Sequence, residues 1–366
     1  MVCLLLLASA TPSLVRAGDE KEEAPVATVE ETVVVSAHRT PLPTERIGSS
    51  VTVIEREEIE RREQHFVSEL LRTVPGVEVT RTGGPGKASS VRIRGGDASQ
   101  TLVLVDGLRL NSANTGDVDF AHLTADAVER IEVLRGPQAN YGSEASAGVI
   151  SIVTRRGRDG LHGGLAAVVG ELDLQRWQAR ADGRRGGFDF ALSASDFSTE
   201  GVSLLDLDEA PETDPYDNRT YVARLGFEAA RWGSFDLQAR RFEAANELDG
   251  FLDDDPNARS ATDGTNVALS WRRLFGSRWQ QSLTLGSSRD DLEGSDPDTA
   301  FNNFLIESRL DQLYLQTDLA VGDRETVMLG LRSERREGSN RGSFDEQVDL
   351  NSGFVQGQWR LRDAQL

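Results

Sequence analysis

The second half of the chain repeats one pattern that restricts its fold more than any other feature. Beyond residue 157, apolar and polar side chains alternate in successive segments, as in residues 219–228, where Tyr221, Leu225 and Phe227 share one face. A period of two residues is the signature of a β-strand with one apolar face. The sequence predicts about ten such strands, which begin near residues 163, 174, 187, 218, 234, 265, 278, 303, 326 and 353.

The connections between these strands fall into two length classes that alternate along the chain. The tight links are 183–187, 230–234, 274–278 and 321–325, and the long polar loops are 198–217, 244–264, 288–302 and 337–352. Short turns on one side and long loops on the other are typical of an outer-membrane β-barrel, whose strands need about ten residues to cross the bilayer. A soluble β-sandwich would also alternate, but it would not separate loop lengths in this way.

Charge and reactive residues exclude several kinds of function. The chain carries 60 acidic and 40 basic side chains, a net charge of −20, which argues against nucleic acid as a partner. A single Cys leaves neither a disulfide framework nor a Cys-based metal site. The four His residues are scattered and no G-x-S-x-G motif occurs, so we expect no enzymatic activity. The rival class is an enzyme embedded in a barrel.

The N-terminal segment predicts an export signal followed by a linker. Residues 2–15 are apolar but too few to span a bilayer as a helix, and Val15-Arg16-Ala17 offers small residues at the positions of a signal-peptidase site. We therefore interpret residues 1–17 as a signal peptide and residues 18–46 as a charged linker. Within the linker, residues 31–37 hold an acid and then β-favouring residues, a short strand suited to extend the sheet of another protein.

The hydrophobic pattern of residues 47–156 predicts a compact α+β domain between the linker and the strands. The predicted helices are 57–74, which Pro75-Gly76 ends, and 125–130. The predicted strands are 51–54, 91–95, 101–107, 131–134 and 148–153.

Several motifs occur in order within this domain, namely Arg92-Ile93-Arg94-Gly95, Val105-Asp106-Gly107, residues 130–137, Tyr141-Gly142 and residues 148–153. Together they resemble the plug of TonB-dependent outer-membrane receptors of Gram-negative bacteria. The resemblance implies an α+β plug domain inside an antiparallel transmembrane β-barrel of roughly 22 strands, with energy supplied through TonB, ExbB and ExbD. It also implies a TonB box, which would bind TonB, at Glu31, Thr32, Val33, Val34, Val35, Ser36 and Ala37.

Within that family, the loops of this domain are most similar to those of cobalamin receptors. The similar segments are residues 83–90 and 106–111. The resemblance implies TonB-dependent uptake of cobalamin, with a ligand that faces Lys87, Ala88, Ser89, Asn114 and Thr115. A ferric-siderophore receptor, which would bind another large chelate, is the alternative within transport.

Two of the long loops are rich in carboxylates. Loop 198–217 holds seven acidic residues and loop 244–264 holds six, and such oxygen ligands suit Ca²⁺. The resemblance to cobalamin receptors implies that calcium orders the matching loops. The candidate ligands are Asp206, Asp214, Asp217 and Asp249. A solvated acidic rim is the alternative, and a calcium-dependent surface adhesion module would be a function of another class.

The predicted strands are too few to close a barrel around this plug. About ten strands cannot enclose a domain of about 110 residues, because barrel diameter grows with strand number. We therefore expect residues 157–366 to be the N-terminal part of the barrel, in a chain truncated at its C-terminus. Such a chain would contact outer-membrane lipid but would not transport by itself.

Overall fold

The computed structural model describes residues 33–34, 42–43, 49–202, 213–248, 257–298, 300, 303–322 and 325–359. The first two strands, β1 (Val33–Val34) and β2 (Leu42–Pro43), pair antiparallel. Val33 and Val34 belong to the predicted TonB box, and the other five residues of the box lie outside the described part of the chain.

A small α+β domain follows. Its elements are β3 (Ser50–Glu55), α1 (Arg56–Arg62), α2 (Val67–Leu71), β4 (Val77–Arg81), β5 (Ser89–Ile93), β6 (Thr101–Val105), β7 (Leu108–Arg109), β8 (Val128–Arg135) and β9 (Gly148–Thr154). Five strands form one sheet in the order β3-β8-β9-β6-β7, in which only β6 and β9 run parallel, and β4 pairs with β5. Leu70, Ile93, Ile131, Val133 and Ile150 lie in its buried core.

Two local predictions in this domain are wrong. The expected helix 57–74 is divided in two, because Glu63 adopts a left-handed conformation (φ 53°) after α1 and ends it. Residues 128–130, expected to be helical, begin β8 instead. β8 pairs with both β3 and β9, so tertiary strand pairing overrides the local helix preference.

Beyond this domain, ten long strands form one antiparallel sheet in chain order. They are β10 (Gly160–Val169), β11 (Gln175–Arg185), β12 (Phe188–Thr199), β13 (Tyr216–Ala229), β14 (Gly233–Glu247), β15 (Arg259–Phe275), β16 (Trp279–Ser295), β17 (Phe304–Ala320), β18 (Glu325–Asn340) and β19 (Phe344–Trp359). Within the described residues the sheet does not close, and β10 and β19 are its edges. The predicted strand pattern is confirmed, and the open sheet agrees with the prediction that these strands form only part of a barrel.

The tight turns lie where the sequence placed them, but three of the four predicted long loops are shorter than expected, since β14 ends at Glu247, β15 begins at Arg259 and β16 ends at Ser295. β11 and β12 are joined at 186–187 and β15 and β16 at 276–278. Residues 337–352, expected to be a long loop, instead extend β18 and β19, which are joined by residues 341–343. Strand pairing continues there because the backbone hydrogen bonds of an antiparallel hairpin do not require a regular alternation of apolar and polar side chains.

The two faces of the sheet differ as the alternation requires. On β13, the outward-facing Tyr221 and Phe227 are 50% and 52% exposed, whereas Thr220 and Arg224 face the small domain and are buried. Large aromatic residues gather beside the tight turns, as expected for the girdle of a membrane-spanning sheet. They are Phe188, Phe227, Trp232, Phe235, Trp271, Phe275, Trp279 and Trp359. Among the described residues, no helix has the length and apolarity to cross a membrane.

The small domain lies against the inner face of the sheet and is held there by buried ion pairs. Arg224 of β13 lies 3.0 Å from Asp106 of the small domain through Nη1 and 3.0 Å from Asp236 of β14 through Nε. Farther along the sheet, Arg109 of the small domain lies 3.7 Å from Glu334 of β18. These contacts fix the domain relative to the strands and so determine the shape of the space above it.

Candidate functional site

A cleft of about 550 Å³ opens between two loops of the small domain and the strand ends that carry the long connections. The loops are 82–88, between β4 and β5, and 112–119, after β7, and the facing strands are β14 to β17. Its volume lies in the range of small-molecule sites. All five residues predicted to face a ligand line this cleft: Lys87, Ala88, Ser89, Asn114 and Thr115.

The first loop is a tight turn that fits closely against β13. Thr82 N–H donates to the Ala88 carbonyl at 3.1 Å and Lys87 N–H to the Gly84 carbonyl at 3.4 Å. Gly86 has a φ of +81°, and a Cβ atom there would lie 2.1 Å from the ring of Tyr216. Only glycine fits both the conformation and the contact, and this places Ala88 on the open side of the cleft.

The second loop is fixed to β17. Asn114 donates from Nδ2 to the Glu307 carbonyl at 2.9 Å, and the Ala113 N–H donates to Ser308 Oγ at 2.8 Å. From below, Asn111 holds the same loop through a 2.9 Å hydrogen bond from Nδ2 to the Gly116 carbonyl. The Asn114 amide is therefore occupied by the sheet, whereas Thr115 is exposed at the loop tip.

A buried aromatic and cationic cluster forms one wall of the cleft. His122 Nδ1 lies 2.9 Å from the hydroxyl of Tyr216, and its ring stacks on Phe242 with centroids 5.6 Å apart. Arg240 donates from Nη2 to the His122 carbonyl at 2.5 Å and lies 4.2 Å above the Phe242 ring. Burial, with a smaller effect of the Arg240 charge, lowers the pKa of His122 to about 3, so its imidazole is neutral at physiological pH.

Asp119 connects the two loops through the backbone. Its Oδ1 accepts hydrogen bonds from the N–H groups of Ser89 and Ala121, each at 2.9 Å. Ser89 thus serves the architecture of the cleft through its backbone, while its hydroxyl donates to the Lys87 carbonyl at 3.1 Å.

The predicted metal ligands are not brought together within the described residues. Asp214 is buried beside Lys87, with Nζ 3.2 Å from Oδ2, whereas Asp217 is exposed. Asp206 and Asp249 lie outside the part of the chain that the structure describes. In that part, no group of three or more His, Cys, Asp or Glu side chains is arranged to hold a metal ion.

Sequence reasoning missed the cluster of His122, Arg240 and Phe242, and also Asp290, which lines the same cleft. His122 was one of four scattered histidines, and no motif near it in the sequence indicates that it contacts Arg240 and Phe242. The available signal was the strand alternation, which places Arg240 and Phe242 on the inner face of β14.

Comparison with known proteins identifies the small domain. The TonB-dependent receptor plug domain family matches residues 43–149. Vitamin B12 transporter BtuB from Vibrio vulnificus (strain CMCP6) is 46% identical over 125 residues, which is 34% of this chain and 20% of that protein.

Solved structures match most of the chain, including the sheet. The ferric enterobactin receptor PfeA from Pseudomonas aeruginosa, in one mutant form, superposes with a TM-score of 0.66 at 20% identity, over 91% of this chain and 57% of that one. The alcaligin outer-membrane receptor FauA from Bordetella pertussis gives 0.58 at 17% identity, over 90% and 63%. The chain thus spans little more than half the length of these receptors.

These matches confirm the predicted family and the predicted location in the outer membrane of a Gram-negative bacterium. The chain carries the plug domain of a TonB-dependent outer-membrane receptor, followed by ten strands with the fold of that family's barrel.

Proposed function

We propose that the receptor containing this chain takes up a cobalamin across the outer membrane and binds it in the cleft above the plug. The observation that carries the proposal is the cleft itself: the plug loops that line it lie within residues 43–149, which match the plug domain family, and a vitamin B12 transporter is 46% identical to this chain over 125 residues. The receptor would draw energy from TonB, with ExbB and ExbD, through the box at residues 31–37, which would pair with TonB as an added strand.

The charges of the cleft favour a ligand that is not a polyanion. Its described lining holds three carboxylates, Asp117, Asp119 and Asp290, against two cations, Lys87 and Arg240. Both cations are already engaged by groups of the protein. Ferric catecholate complexes are anions and would meet this acid excess without a free positive charge, whereas amide-bearing cobalamin would meet hydroxyl and amide side chains.

A ferric-siderophore receptor is the second candidate, since PfeA and FauA are receptors of that kind. The adhesion module is the candidate of another class, and it would not depend on residues 31–37.

The calcium proposal applies to the acidic loops around Asp206, Asp217 and Asp249. Calcium bound by these carboxylates would order the loops before the ligand binds. Removal of calcium should then weaken cobalamin binding.

The test is equilibrium binding of labelled cyanocobalamin and of ferric enterobactin to outer membranes that carry the receptor. Ala88→Trp should abolish cyanocobalamin binding, because Ala88 is exposed in the cleft and an indole there fills ligand space without disturbing the core. Val348→Trp, on the exposed β19 hairpin, is the matched control and should leave binding unchanged. Binding of ferric enterobactin alone, or equal binding by both variants, would overturn the proposal.

A further inference from the structure

The plug loop places a lysine in a position where lysines are rare. Lys87 is 6% exposed, and a buried ammonium is unfavourable unless it is paired and hydrogen-bonded. Its Nζ donates to the Glu247 carbonyl at 2.6 Å and lies 3.2 Å from Asp214 Oδ2. The side chain crosses from the plug to the sheet with a contact on each of two strand ends.

The two groups that Lys87 contacts flank the two acidic connections. Asp214 lies just before β13, and Glu247 is the last residue of β14. The strand ends are also joined directly, since the Glu247 N–H donates to the Pro215 carbonyl at 3.3 Å. One ammonium therefore holds the bases of both connections against the plug, at the rim of the cleft.

Asp214 depends on this contact for its counter-charge. The carboxylate is 4% exposed, and Lys87 is its one ion-pair partner among the described residues. Apart from the Lys87 contact, neither Asp214 oxygen has a hydrogen-bond partner among the described residues. A carboxylate buried in this way requires a cation beside it, and the plug supplies one from its own chain.

We propose that the Lys87 ammonium is a built-in cation that positions the ends of β13 and β14 on the plug, so that this side of the cleft is fixed without a metal ion. Lys87 is then a positioning residue rather than a ligand contact. The sequence predicted that Lys87 faces the ligand because Lys87 belongs to a cleft loop. In that loop, Lys87 is buried and its neighbour Ala88 is exposed. The effect on ligand binding rests on the proposed function, but the effect on the strand ends does not.

The test is amide hydrogen exchange of residues 213–217 and 244–248 in the ligand-free receptor, in calcium and in a calcium chelator. Wild-type protection of these strand ends should be retained in the chelator, even where calcium adds order to the loops beyond them. Lys87→Met should speed exchange there by more than about tenfold in both, because a buried carboxylate loses its cation. Lys87→Arg should retain most of the protection. Arg241→Met, which removes an exposed ion pair from β14, is the control and should change nothing.

Loss of wild-type protection in the chelator would overturn the proposal, as would unchanged exchange in Lys87→Met. The comparison of wild-type exchange in calcium and in the chelator requires no variant. It therefore tests the proposal even if Lys87→Met does not fold. Cyanocobalamin binding is the second measurement, and Lys87→Met should weaken it by roughly tenfold. Absence of binding to the wild type, with the exchange pattern intact, would refute the proposed ligand and leave the role of Lys87 standing.

Discussion

Replacing Arg224 by methionine tests how the plug is held in the sheet. The guanidinium is 8% exposed and contacts both sides of the boundary. Nη1 donates to Asp106 Oδ1 at 3.0 Å and to the Thr154 carbonyl at 2.8 Å, both in the plug, while Nε donates to Asp236 Oδ1 at 3.0 Å in the sheet. Methionine keeps the length of the side chain and removes every one of these donors.

The expected loss of folding stability in Arg224→Met depends on the two buried carboxylates that the substitution leaves behind. Removing one partner of a buried ion pair costs about 3–5 kcal/mol, because the other charge stays buried. Asp106 keeps hydrogen bonds from Thr154 N–H at 2.9 Å and Oγ1 at 2.5 Å, and Asp236 keeps its ion pair with Arg156. These contacts place the loss at the lower end, about 3 kcal/mol.

The assay is urea unfolding of the purified receptor in detergent micelles, followed by tryptophan fluorescence. Arg241→Met is the control, since Arg241 and its partner Glu243 are 54% and 49% exposed and such pairs contribute about 0.2–1 kcal/mol. Arg224→Met should lower the free energy of unfolding several times more than the control does. Equal losses in the two variants would refute the view that Arg224 holds the plug in place.

Two further predictions concern the walls of the cleft. Gly86→Ala should destabilise the receptor by about 2–4 kcal/mol, because the added Cβ would strain a positive φ and clash with Tyr216. Gly84→Ala is the control and should cost little stability, since no atom lies within 4 Å of its added Cβ. Equal urea-unfolding midpoints for the two variants would contradict this prediction. His122 has a folded pKa of about 3 against an ordinary 6.5, so stability should fall as pH drops from about 6.5 towards 3, because the unfolded chain binds the proton first. His122→Asn should flatten that slope in urea unfolding across this range, and an unchanged slope would show that other groups cause it.

The strands could be predicted because their signal is local and repeated. Each crossing segment shows the two-residue period by itself, and the tight turns at 186–187 and 276–278 carry Gly186 and Gly276 with positive φ. The length of the strands could not be predicted in the same way. Residues 337–352 include only three large apolar side chains, Phe344, Val348 and Leu350, and their pairing as β18 and β19 is maintained by the ladder that begins lower in the sheet.

The cleft could be predicted only in part. Family resemblance identified the loops that carry Lys87, Ala88, Ser89, Asn114 and Thr115, and all five line one space. The partners of these residues were not accessible, because they lie far away along the chain. Lys87 contacts Glu247, 160 residues later. Such contacts depend on how the plug sits against the sheet, which no local pattern records.

Accumulation of labelled cyanocobalamin by cells that carry the receptor tests the central claim most directly. Cells with the intact receptor should accumulate cyanocobalamin, and deletion of residues 31–37 should abolish accumulation while leaving surface binding unchanged. Accumulation that persists after the deletion, or accumulation of ferric enterobactin in place of cyanocobalamin, would contradict the account.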